Sequence, residues 1–445
     1  MDTADSNDLV LQERADIAVI GGGPSGTFFT YFALDFAQRL GIDINIDIIE
    51  AKDFNRPGPL GCNHCGGIVS ESLIQMLSTE GILLPSEVIR RGIESYTLHL
   101  ESGVTVIDTP FREQRIASVY RGFGPKGADD DTQSSFDGHL LKLCQQNGAR
   151  IINERVTEVV RATDGIIVRT NTLKEKKYEL VVGAGGLSKQ YLELFKSVIP
   201  GFTPPKTTKT HICEFYMEDA LIDEYFGNSM HVFLLNIPHI KFGALIPKGH
   251  YVTLVLLGDK INREIVNSFL ASKQVEGCFP PGVEIKAKLP CMCFPLINIK
   301  GARSAYADRV ILIGDSSSSK LYKNVIGSAY ITGKAAAKTA IFQGISRKEF
   351  RKYFQPVCND LDFDNSLGKM IFAITSIIQK SGILKKGIFN MVVEEQKKVS
   401  EKRYMSSILW DTFTGSAPYK DILIRGLNPS TEISLIKNIF KAILH

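Results

Sequence analysis

Apolar and polar positions along the chain fall into three kinds of segment. Short apolar runs at 15–20 and 309–313 are typical of buried parallel strands, and the first leads into a glycine-rich turn and a helical stretch. Alternating patterns at 95–108 and 210–257 predict strands with one covered face. Beyond residue 344 the periodicity is helical, with charged faces. The pattern predicts an α/β (α+β) protein with two different sheets and a helical C-terminal part.

The glycine-rich turn carries the first candidate chemistry. It contains Gly21, Gly23, Pro24, Ser25 and Gly26. Gly21 makes the tight turn, Gly23 lets the backbone approach a pyrophosphate, and Gly26 allows close packing of helix on strand. A second apolar strand at 44–49 ends in Glu50, an acid placed to accept hydrogen bonds from a ribose. The segment predicts a dinucleotide site; the alternative is a purely structural turn.

Three further segments resemble flavoproteins of the para-hydroxybenzoate hydroxylase fold. The run from Val119-Tyr-Arg121 through Ser135-Phe-Asp-Gly-His-Leu-Leu141 is similar to one family motif, and Arg309-Val-Ile-Leu-Ile-Gly-Asp315 to the second flavin motif. Residues 179–186 resemble a third flavin-side strand. The resemblance implies FAD as the cofactor. It implies contacts at Ala51, Arg121, Val156, Gly185, Gly314 and Asp315, besides those of the glycine turn.

The loop at 55–70 narrows the resemblance to the geranylgeranyl reductase family, FAD enzymes that saturate isoprenoid double bonds. Cys65-Gly66-Gly67 is similar to the family's cysteine-containing loop, which implies that these residues lie beside the isoalloxazine. The family's aromatic strand motif falls on 242–247, so Phe242 and Ile246 are the expected substrate contacts. Residues 410–429 resemble the family's helical C-terminal extension.

The same comparison exposes departures from the family pattern. Ala244 stands where the family has tryptophan, so the wall that lines the prenyl chain differs. After Asp315 this chain has four serines at 316–319 and a single glycine, Gly327, in place of a Gly-x-Gly turn. Gly327, the one glycine of this segment, is therefore the expected flavin contact.

The resemblance and the pattern together predict a domain organisation. A Rossmann-like FAD domain is assembled from residues 16–83, 115–187 and 308–344. An antiparallel substrate sheet interrupts it, formed by residues 84–114 and 188–307. Residues 345–445 form the helical extension.

Two cysteine pairs and a histidine are candidates for chemistry near the flavin. Cys62 and Cys65 form a CxxC, and Cys291 and Cys293 form a CxC. Four thiolates could hold zinc or an iron–sulfur cluster, or the CxxC could pass electrons to flavin. The simpler interpretation is that Cys65 touches the flavin and the others are core thiols. His64 is a candidate proton donor, because imidazole titrates near neutral pH; otherwise it is simply solvated.

Composition and charge limit the partners. The 445 residues are 44% hydrophobic and 22% charged, which is ordinary for a folded soluble chain. The net charge of +4 does not suggest a nucleic-acid binder. Residues 345–445 carry 16 basic and 10 acidic residues, a net +6.

The last helix of this basic region has apolar positions at Ile436, Ile439, Phe440, Ile443 and Leu444. They form a stripe that either packs on the protein's own core or docks at a membrane surface. The N-terminus lacks the pattern of a secretory signal, and no run reaches the length of a transmembrane helix. We expect a cytoplasmic protein, which is peripheral to the inner face of the membrane if that helix docks.

The predicted reaction is hydride transfer from reduced FAD to a C=C bond of a prenyl or similar apolar substrate. Alternatives on the same fold are a flavin monooxygenase or halogenase, and a non-redox isomerase or cyclase that uses flavin. A third alternative is a cysteine-linked electron carrier without an organic substrate. The electron donor, NAD(P)H or a ferredoxin-like protein, and the oligomeric state do not follow from the sequence.

Overall fold

The computed structural model describes residues 9–62, 66–109, 116–125, 134–172, 175–282, 291–397 and 403–444. The strands in chain order are β1 (Ala15–Ile20), β2 (Ile44–Ile49), β3 (Ile68–Val69), β4 (Ile89–Ile93), β5 (Ser95–Leu100), β6 (Gly103–Asp108), β7 (Ile116–Val119), β8 (Arg150–Ile152), β9 (Val156–Arg161), β10 (Ile166–Thr170), β11 (Lys176–Tyr178), β12 (Leu180–Gly183), β13 (Lys206–Lys209), β14 (His211–Tyr216), β15 (Ser229–Phe233), β16 (Ile240–Lys248), β17 (Tyr251–Gly258), β18 (Cys291–Cys293), β19 (Leu296–Lys300), β20 (Tyr306–Ala307) and β21 (Val310–Leu312).

The helices in chain order are α1 (Pro24–Leu40), α2 (Glu71–Thr79), α3 (Phe136–Gln146), α4 (Lys189–Glu193), α5 (Asp219–Tyr225), α6 (Arg263–Leu270), α7 (Lys273–Glu276), α8 (Val325–Phe342), α9 (Arg347–Glu349), α10 (Gln355–Lys380), α11 (Gly382–Gln396), α12 (Tyr404–Thr414), α13 (Tyr419–Gly426) and α14 (Pro429–Leu444). A π-helical turn at Phe350–Phe354 joins α9 to α10.

A six-stranded sheet forms the base of the protein, in the order β20-β21-β12-β1-β2-β8. All its pairs are parallel except β20 with β21 at one edge. Ile17, Ala18 and Val19 of β1 are fully buried, because both faces of the sheet are covered. Helices α1, α3 and α8 contribute to the core on one face, and the small sheet β9–β11 contributes to the core on the other. The parallel strands therefore end together beside the N-termini of α1 and α8.

A seven-stranded sheet stands over this base, in the order β18-β14-β17-β16-β15-β5-β6. Alternation along β16 divides its side chains between two cores. Phe242, Ala244 and Ile246 join the core shared with the C-terminal helices, whereas Leu245 joins the core on the other face. The sheet is antiparallel apart from β5 with β15, which pair in parallel. This differs from the wholly antiparallel sheet expected from sequence, because the early hairpin β5–β6 is joined by a strand from a distant segment.

The C-terminal helices pack against the seven-stranded sheet. Trp410 of α12 stacks on Tyr96 of β5, with ring centroids 4.4 Å apart and planes inclined by 24°. Phe413, one turn further on, lies 5.4 Å from the ring of Phe242. Within the described ranges, no helix alone combines the length and apolarity needed to cross a bilayer; a pair bent by 106°, Arg347–Lys380 and Gly382–Gln396, meets both criteria only when taken together.

Candidate active site

The glycine-rich turn is held in a conformation that only glycine fits. Gly21 has φ +115°, and a Cβ there would lie 2.6 Å from the backbone of Ala184 at the end of β12. A Cβ on Gly26 would lie 2.0 Å from the carbonyl oxygen of Gly21. Pro24 occupies the first turn of α1, where a missing N–H costs nothing. The turn thus brings the start of α1 close to the ends of two neighbouring strands.

The second motif meets the first at one contact. Gly314, just after β21, has φ +60°, and a Cβ there would lie 1.9 Å from Oγ of Ser25 in the first turn of α1. Its N–H donates to Oγ1 of Thr332 in α8 at 3.0 Å. These contacts fix Asp315, the next residue, at the mouth of the glycine turn.

Glu50 supports the turn from the end of β2. Its Oε2 accepts a hydrogen bond from the N–H of Gly22 at 2.8 Å, and Oε1 accepts one from the N–H of Lys52 at 2.8 Å. The carboxylate also lines the cavity described next. The role expected of Glu50 towards a ribose therefore adds to a structural role that the sequence pattern did not reveal.

A cavity of about 610 Å³ lies where these elements converge. The sequence-predicted residues that line it are Gly21, Gly23, Pro24, Ser25, Glu50, Ala51, Arg121, Val156, Gly185 and Asp315. Gly26 packs behind it. The sequence reasoning missed a second group of lining residues, among them Lys52, Glu154, Arg155, Thr157 and Tyr191. Glu154, Arg155 and Thr157 lie at or just before the start of β9, and Tyr191 lies on α4. These positions are away from any glycine motif, and the only signal in the sequence was the neighbouring Val156.

A second cavity, of about 170 Å³, opens beside the first under the seven-stranded sheet. Its apolar wall includes Phe242, Ala244, Ile246, Val255, Leu257 and, from the extension, Phe413. Gly66 and Gly67 line the same cavity. The residues common to both cavities are Arg121, Asp315, Val325 and Ile326. The two predicted substrate contacts, Phe242 and Ile246, thus lie next to the predicted cofactor site.

Charged side chains are fixed at the junction of the cavities. Nε and Nη2 of Arg121 donate to the two carboxylate oxygens of Asp137 at 3.1 and 2.9 Å, and the Asp137 side chain is fully buried. Burial raises the pKa of Asp315, while a hydrogen bond from Ser319 and the charge of Arg121 oppose that rise. Burial also lowers the pKa of Lys320, which lines the second cavity.

The glycine pair at 66–67 lies where the resemblance implied a flavin-side loop. Gly67 has φ +67°, and a Cβ there would lie 1.9 Å from the carbonyl oxygen of Val119. A Cβ on Gly66 would lie 3.1 Å from Val255 in the wall of the second cavity. Cys65 and His64, which precede the pair, lie outside the described residues, so their roles stay predictions.

The start of α8 differs from the expectation for Gly327. Asn324 caps the helix in a left-handed conformation, φ +46°, and its Oδ1 accepts a hydrogen bond from the N–H of Gly327 at 2.9 Å. Its Nδ2 donates to the carbonyl of Gly415 in the extension at 3.0 Å. At this helix start Asn324 lines the second cavity and Val325 and Ile326 line both, whereas Gly327 lines neither, and its N–H is used by the cap.

Three of the four paired cysteines lie around one small cavity. Cys62, Cys291 and Cys293 line a space of about 110 Å³ together with Arg121 and the buried Glu214. Burial, aided by the charge of Glu214 and by the neighbouring thiols, raises the pKa of Cys291 and Cys293 to about 12. This favours neutral thiols in the metal-free protein. The four-thiolate site stays a prediction, because Cys65 is not described.

Lys323 links the extension to the junction and was not recognised from sequence. Its Nζ donates to the carbonyls of Asp411 and Ala417 at 3.1 and 2.9 Å, and lies 3.9 Å from the ring centroid of Tyr419. Burial lowers the pKa of Lys323 to about 7. An isolated lysine between a serine run and a helix start gives no sequence signal of such a contact.

Comparison with known proteins agrees with this geometry. No protein-family model matches the chain. Digeranylgeranylglycerophospholipid reductase of Methanococcus vannielii is 23% identical over 398 residues, which cover 81% of this chain and 88% of that protein. A solved geranylgeranyl bacteriochlorophyll reductase-like protein of Thermoplasma acidophilum matches with a TM-score of 0.65 at 15% identity, over 97% of this chain and 100% of the other. The fold is that of the geranylgeranyl-reductase-like flavoproteins. The resemblance predicted from sequence is confirmed.

The fold of this chain is that of FAD-dependent oxidoreductases. A variant of HpxO from Klebsiella pneumoniae, solved with FAD, matches with a TM-score of 0.55 at 14% identity, over 95% of this chain and 99% of the other. Other similar structures are a p-nitrophenol 4-monooxygenase of Pseudomonas putida and a flavin-dependent brominase, each with a TM-score of 0.55. The residues present fit FAD: a glycine cradle that a Cβ would fill, the acids Glu50 and Asp315, and a cavity of about 610 Å³.

Proposed function

We propose that this flavoprotein reduces C=C bonds of a prenyl chain or a similar apolar chain. The observation that carries the proposal is the apolar cavity under the seven-stranded sheet, which shares Arg121, Asp315, Val325 and Ile326 with the predicted cofactor cavity. An apolar chain in the second cavity would therefore lie beside a flavin bound in the first. Bound FAD, once reduced, supplies the hydride for such a reduction.

The chain's own residues would bind and orient the substrate. Phe242, Ala244 and Ile246 project from one face of β16, with Val255 and Leu257 of β17 beside them. These side chains exclude water and favour an apolar chain by burial. Phe413 of the extension also lines the cavity, with its ring 5.4 Å from that of Phe242. This lining would accept any apolar chain. The proposal of a prenyl chain therefore rests on the family resemblance together with the lining.

Reduction of a C=C bond also needs a proton, and Lys320 is our candidate donor. It lines the apolar cavity, and burial lowers its pKa, which makes its ammonium a stronger acid than one in water. General acid catalysis by a positioned group contributes roughly 10²–10⁴-fold to a rate. Asp315, whose pKa is raised by burial, is another ionisable group at the junction of the cavities.

The test uses the holoenzyme under anaerobic conditions. Bound flavin is photoreduced, so the experiment does not depend on the unidentified electron donor, and prenyl lipids are then added in turn. We expect flavin reoxidation together with a product that has gained two hydrogens. Ala244→Phe should fill the cavity and abolish reoxidation by the lipid while leaving the flavin content unchanged. Ala271→Phe, at an exposed position, is the matched control and should behave like the wild type.

Two outcomes would refute the proposal. One is photoreduced flavin that is stable towards every prenyl lipid tested. The other, observed when air is admitted to the photoreduced enzyme with lipid, is rapid reaction with oxygen that yields a hydroxylated product, which would favour the monooxygenase alternative. Equal rates of flavin reoxidation in the Ala244→Phe and Ala271→Phe variants would show that the reaction does not take place in this cavity.

We also propose that α14 docks the flavoprotein on an anionic membrane surface. Ile433, Ile436, Phe440 and Ile443 are 68%, 52%, 61% and 58% exposed, and their spacing of three and four residues places them on one helix face. Ile439, expected in the same stripe, instead packs against Gly387 of α11. The stripe is therefore narrower than predicted, and it includes Ile433 rather than Ile439; the side chain of Leu444 is not described.

Charge supports an anionic surface as the partner. Residues 345–445 carry a net +6, and exposed Lys437 lies on α14 beside the stripe. Each basic side chain near an anionic surface contributes about 1 kcal/mol to binding. Lys441 contributes less, because it pairs with Glu394 of α11. A membrane-borne substrate would then reach the cavity from the face that the extension covers.

Vesicle flotation with the full chain tests the docking surface. We expect binding to vesicles that contain phosphatidylserine, weaker binding to phosphatidylcholine alone, and loss of binding in Ile436→Glu/Phe440→Glu. Val106→Glu, which alters an exposed apolar residue on β6, is the control and should bind like the wild type. Unchanged flotation of the α14 variant would refute the docking surface without affecting the proposed reaction.

A further inference from the structure

A cluster of two histidines and a cysteine lies on the other face of the seven-stranded sheet, away from the substrate cavity. His99 of β5 and His231 of β15 point to the same face of two adjacent parallel strands. Cys278 follows α7, which packs over that face. The three residues are 5%, 7% and 3% exposed. No part of the proposed reduction uses them.

The three ligand atoms form a closed triangle. Nε2 of His99 lies 3.2 Å from Nδ1 of His231, which lies 3.4 Å from Sγ of Cys278, and Sγ lies 3.8 Å from Nε2 of His99. For tetrahedral zinc, with Zn–N of about 2.0–2.1 Å and Zn–S of about 2.3 Å, the corresponding edges are about 3.3 Å for N to N and about 3.6 Å for N to S. The triangle is therefore within a few tenths of an ångström of a zinc coordination face.

Aromatic contacts hold the two imidazoles in this orientation. The His99 ring stacks on Phe233 with centroids 4.5 Å apart and planes inclined by 16°. The His231 ring lies 4.8 Å from the ring of Phe226. A linear hydrogen-bonded chain of three side chains would have only two short distances. Here the third distance, between Sγ of Cys278 and Nε2 of His99, is also short, so the three atoms form a triangle. All three residues thus place a metal-ligating atom within 4.8 Å of the other two.

We propose that His99, His231 and Cys278 bind a zinc ion. The mixed nitrogen and sulfur donor set suits zinc, and three protein ligands leave a fourth position for a further oxygen ligand. On binding, the Cys278 thiol becomes a thiolate and releases its proton to solvent, so affinity rises with pH. The thiol otherwise donates to the carbonyl oxygen of Gln274 at 3.2 Å. The ion would clamp α7 onto β5 and β15, which is a structural role.

Metal analysis of the full-length holoenzyme, purified without chelator, tests the site. We expect about one zinc per chain. X-ray absorption at the zinc edge should return one sulfur at about 2.3 Å and nitrogens at about 2.0–2.1 Å. Cys278→Ser and His231→Gln should each lose the zinc and keep FAD. Cys144→Ser, at another buried cysteine, and Cys291→Ser/Cys293→Ser should retain the zinc.

Two results would overturn the proposal. The first is less than a tenth of an equivalent of zinc in the wild type, with no uptake when zinc is added after chelator treatment. The second is zinc that Cys291→Ser/Cys293→Ser removes and Cys278→Ser does not. If the single variants fail to fold, the wild type still decides. A chelator should lower its melting temperature by several degrees, zinc but not magnesium should restore it, and an unchanged melting temperature on zinc removal contradicts the clamp.

Discussion

Replacing Gly314 by alanine tests whether the contact between the two flavin motifs shapes the cofactor site. The new Cβ would lie 1.9 Å from Oγ and 2.8 Å from Cβ of Ser25, well inside van der Waals contact. Rotation of the Ser25 hydroxyl relieves only the first of these contacts. The second requires α1 to move away from β21, which displaces the glycine turn that lines the cofactor cavity.

The magnitude follows from two separate contributions. A non-glycine residue in the left-handed region costs roughly 1–2 kcal/mol, and overpacking adds about 1–3 kcal/mol. Gly314→Ala should therefore lower the free energy of unfolding by about 2–5 kcal/mol. The flavin-free variant could relieve the overpacking by a shift of α1. If FAD binding requires α1 in its native position, the free energy of overpacking then appears as a weaker affinity for FAD. A difference of about 1–3 kcal/mol corresponds to a roughly 5- to 150-fold weaker FAD complex.

Gly186→Ala is the matched control. Gly186 lines the same cavity and has φ +76°, but a Cβ there has no atom within 4 Å, so it carries the backbone strain without the overpacking. FAD affinity is measured by titrating the flavin-free protein and following flavin fluorescence; stability is measured by urea unfolding. In a double-mutant cycle, Ser25→Gly should restore about 1–3 kcal/mol to Gly314→Ala beyond its own effect. Equal FAD affinity of the two alanine variants, or additivity in the cycle, would refute this account.

Three other changes test separate parts of the molecule. Asn324→Ala should lower the free energy of unfolding in urea by about 2–3 kcal/mol, through the lost helix cap and left-handed strain; Asn324→Gly avoids the strain and should lose less. Burial lowers the pKa of His211 to about 4, so the unfolded chain takes up a proton below pH 6.5 before the folded one does. Between pH 7 and pH 5 the free energy of unfolding should then fall by about 2 kcal/mol more in the wild type than in His211→Phe. Parallel plots of the free energy of unfolding against pH for the two proteins would contradict this. Lys320→Met should slow reoxidation of photoreduced flavin by a prenyl lipid at least 10²-fold with unchanged flavin content, and an unchanged rate would remove Lys320 as proton donor.

The cofactor half of the site was accessible to sequence reasoning because its requirements are local. Gly21, Gly26 and Gly314 are glycines because neighbouring backbone or Ser25 occupies the space of a side chain. Such constraints leave a spacing pattern that can be recognised in one sequence. Asp315 follows directly from one of these turns, so its place at the cavity could be predicted too.

The remaining features depend on topology and leave no local pattern. His99 and His231 are 132 residues apart, and meet only because β15 adds to the edge of the β5–β6 hairpin in parallel. Phe413 reaches the substrate cavity through the packing of the whole extension. The family resemblance implied that Gly327 contacts the flavin, whereas the side chain of Asn324 accepts a hydrogen bond from its N–H. A backbone N–H that a sequence motif assigns to a ligand can thus be used by a helix-capping side chain instead.

Arg121 connects the chemistry of the three cavities. It lines the predicted cofactor cavity, the apolar cavity and the cysteine cavity. Because two hydrogen bonds to the buried carboxylate of Asp137 fix the guanidinium, its charge acts on all three from one position. That charge opposes the effect of burial on the pKa of Asp315. A change that moved or neutralised Arg121 would therefore favour a protonated Asp315, at the point where the predicted cofactor and substrate sites meet. This holds even for a change in the cysteine cavity, because Arg121 lines that cavity too.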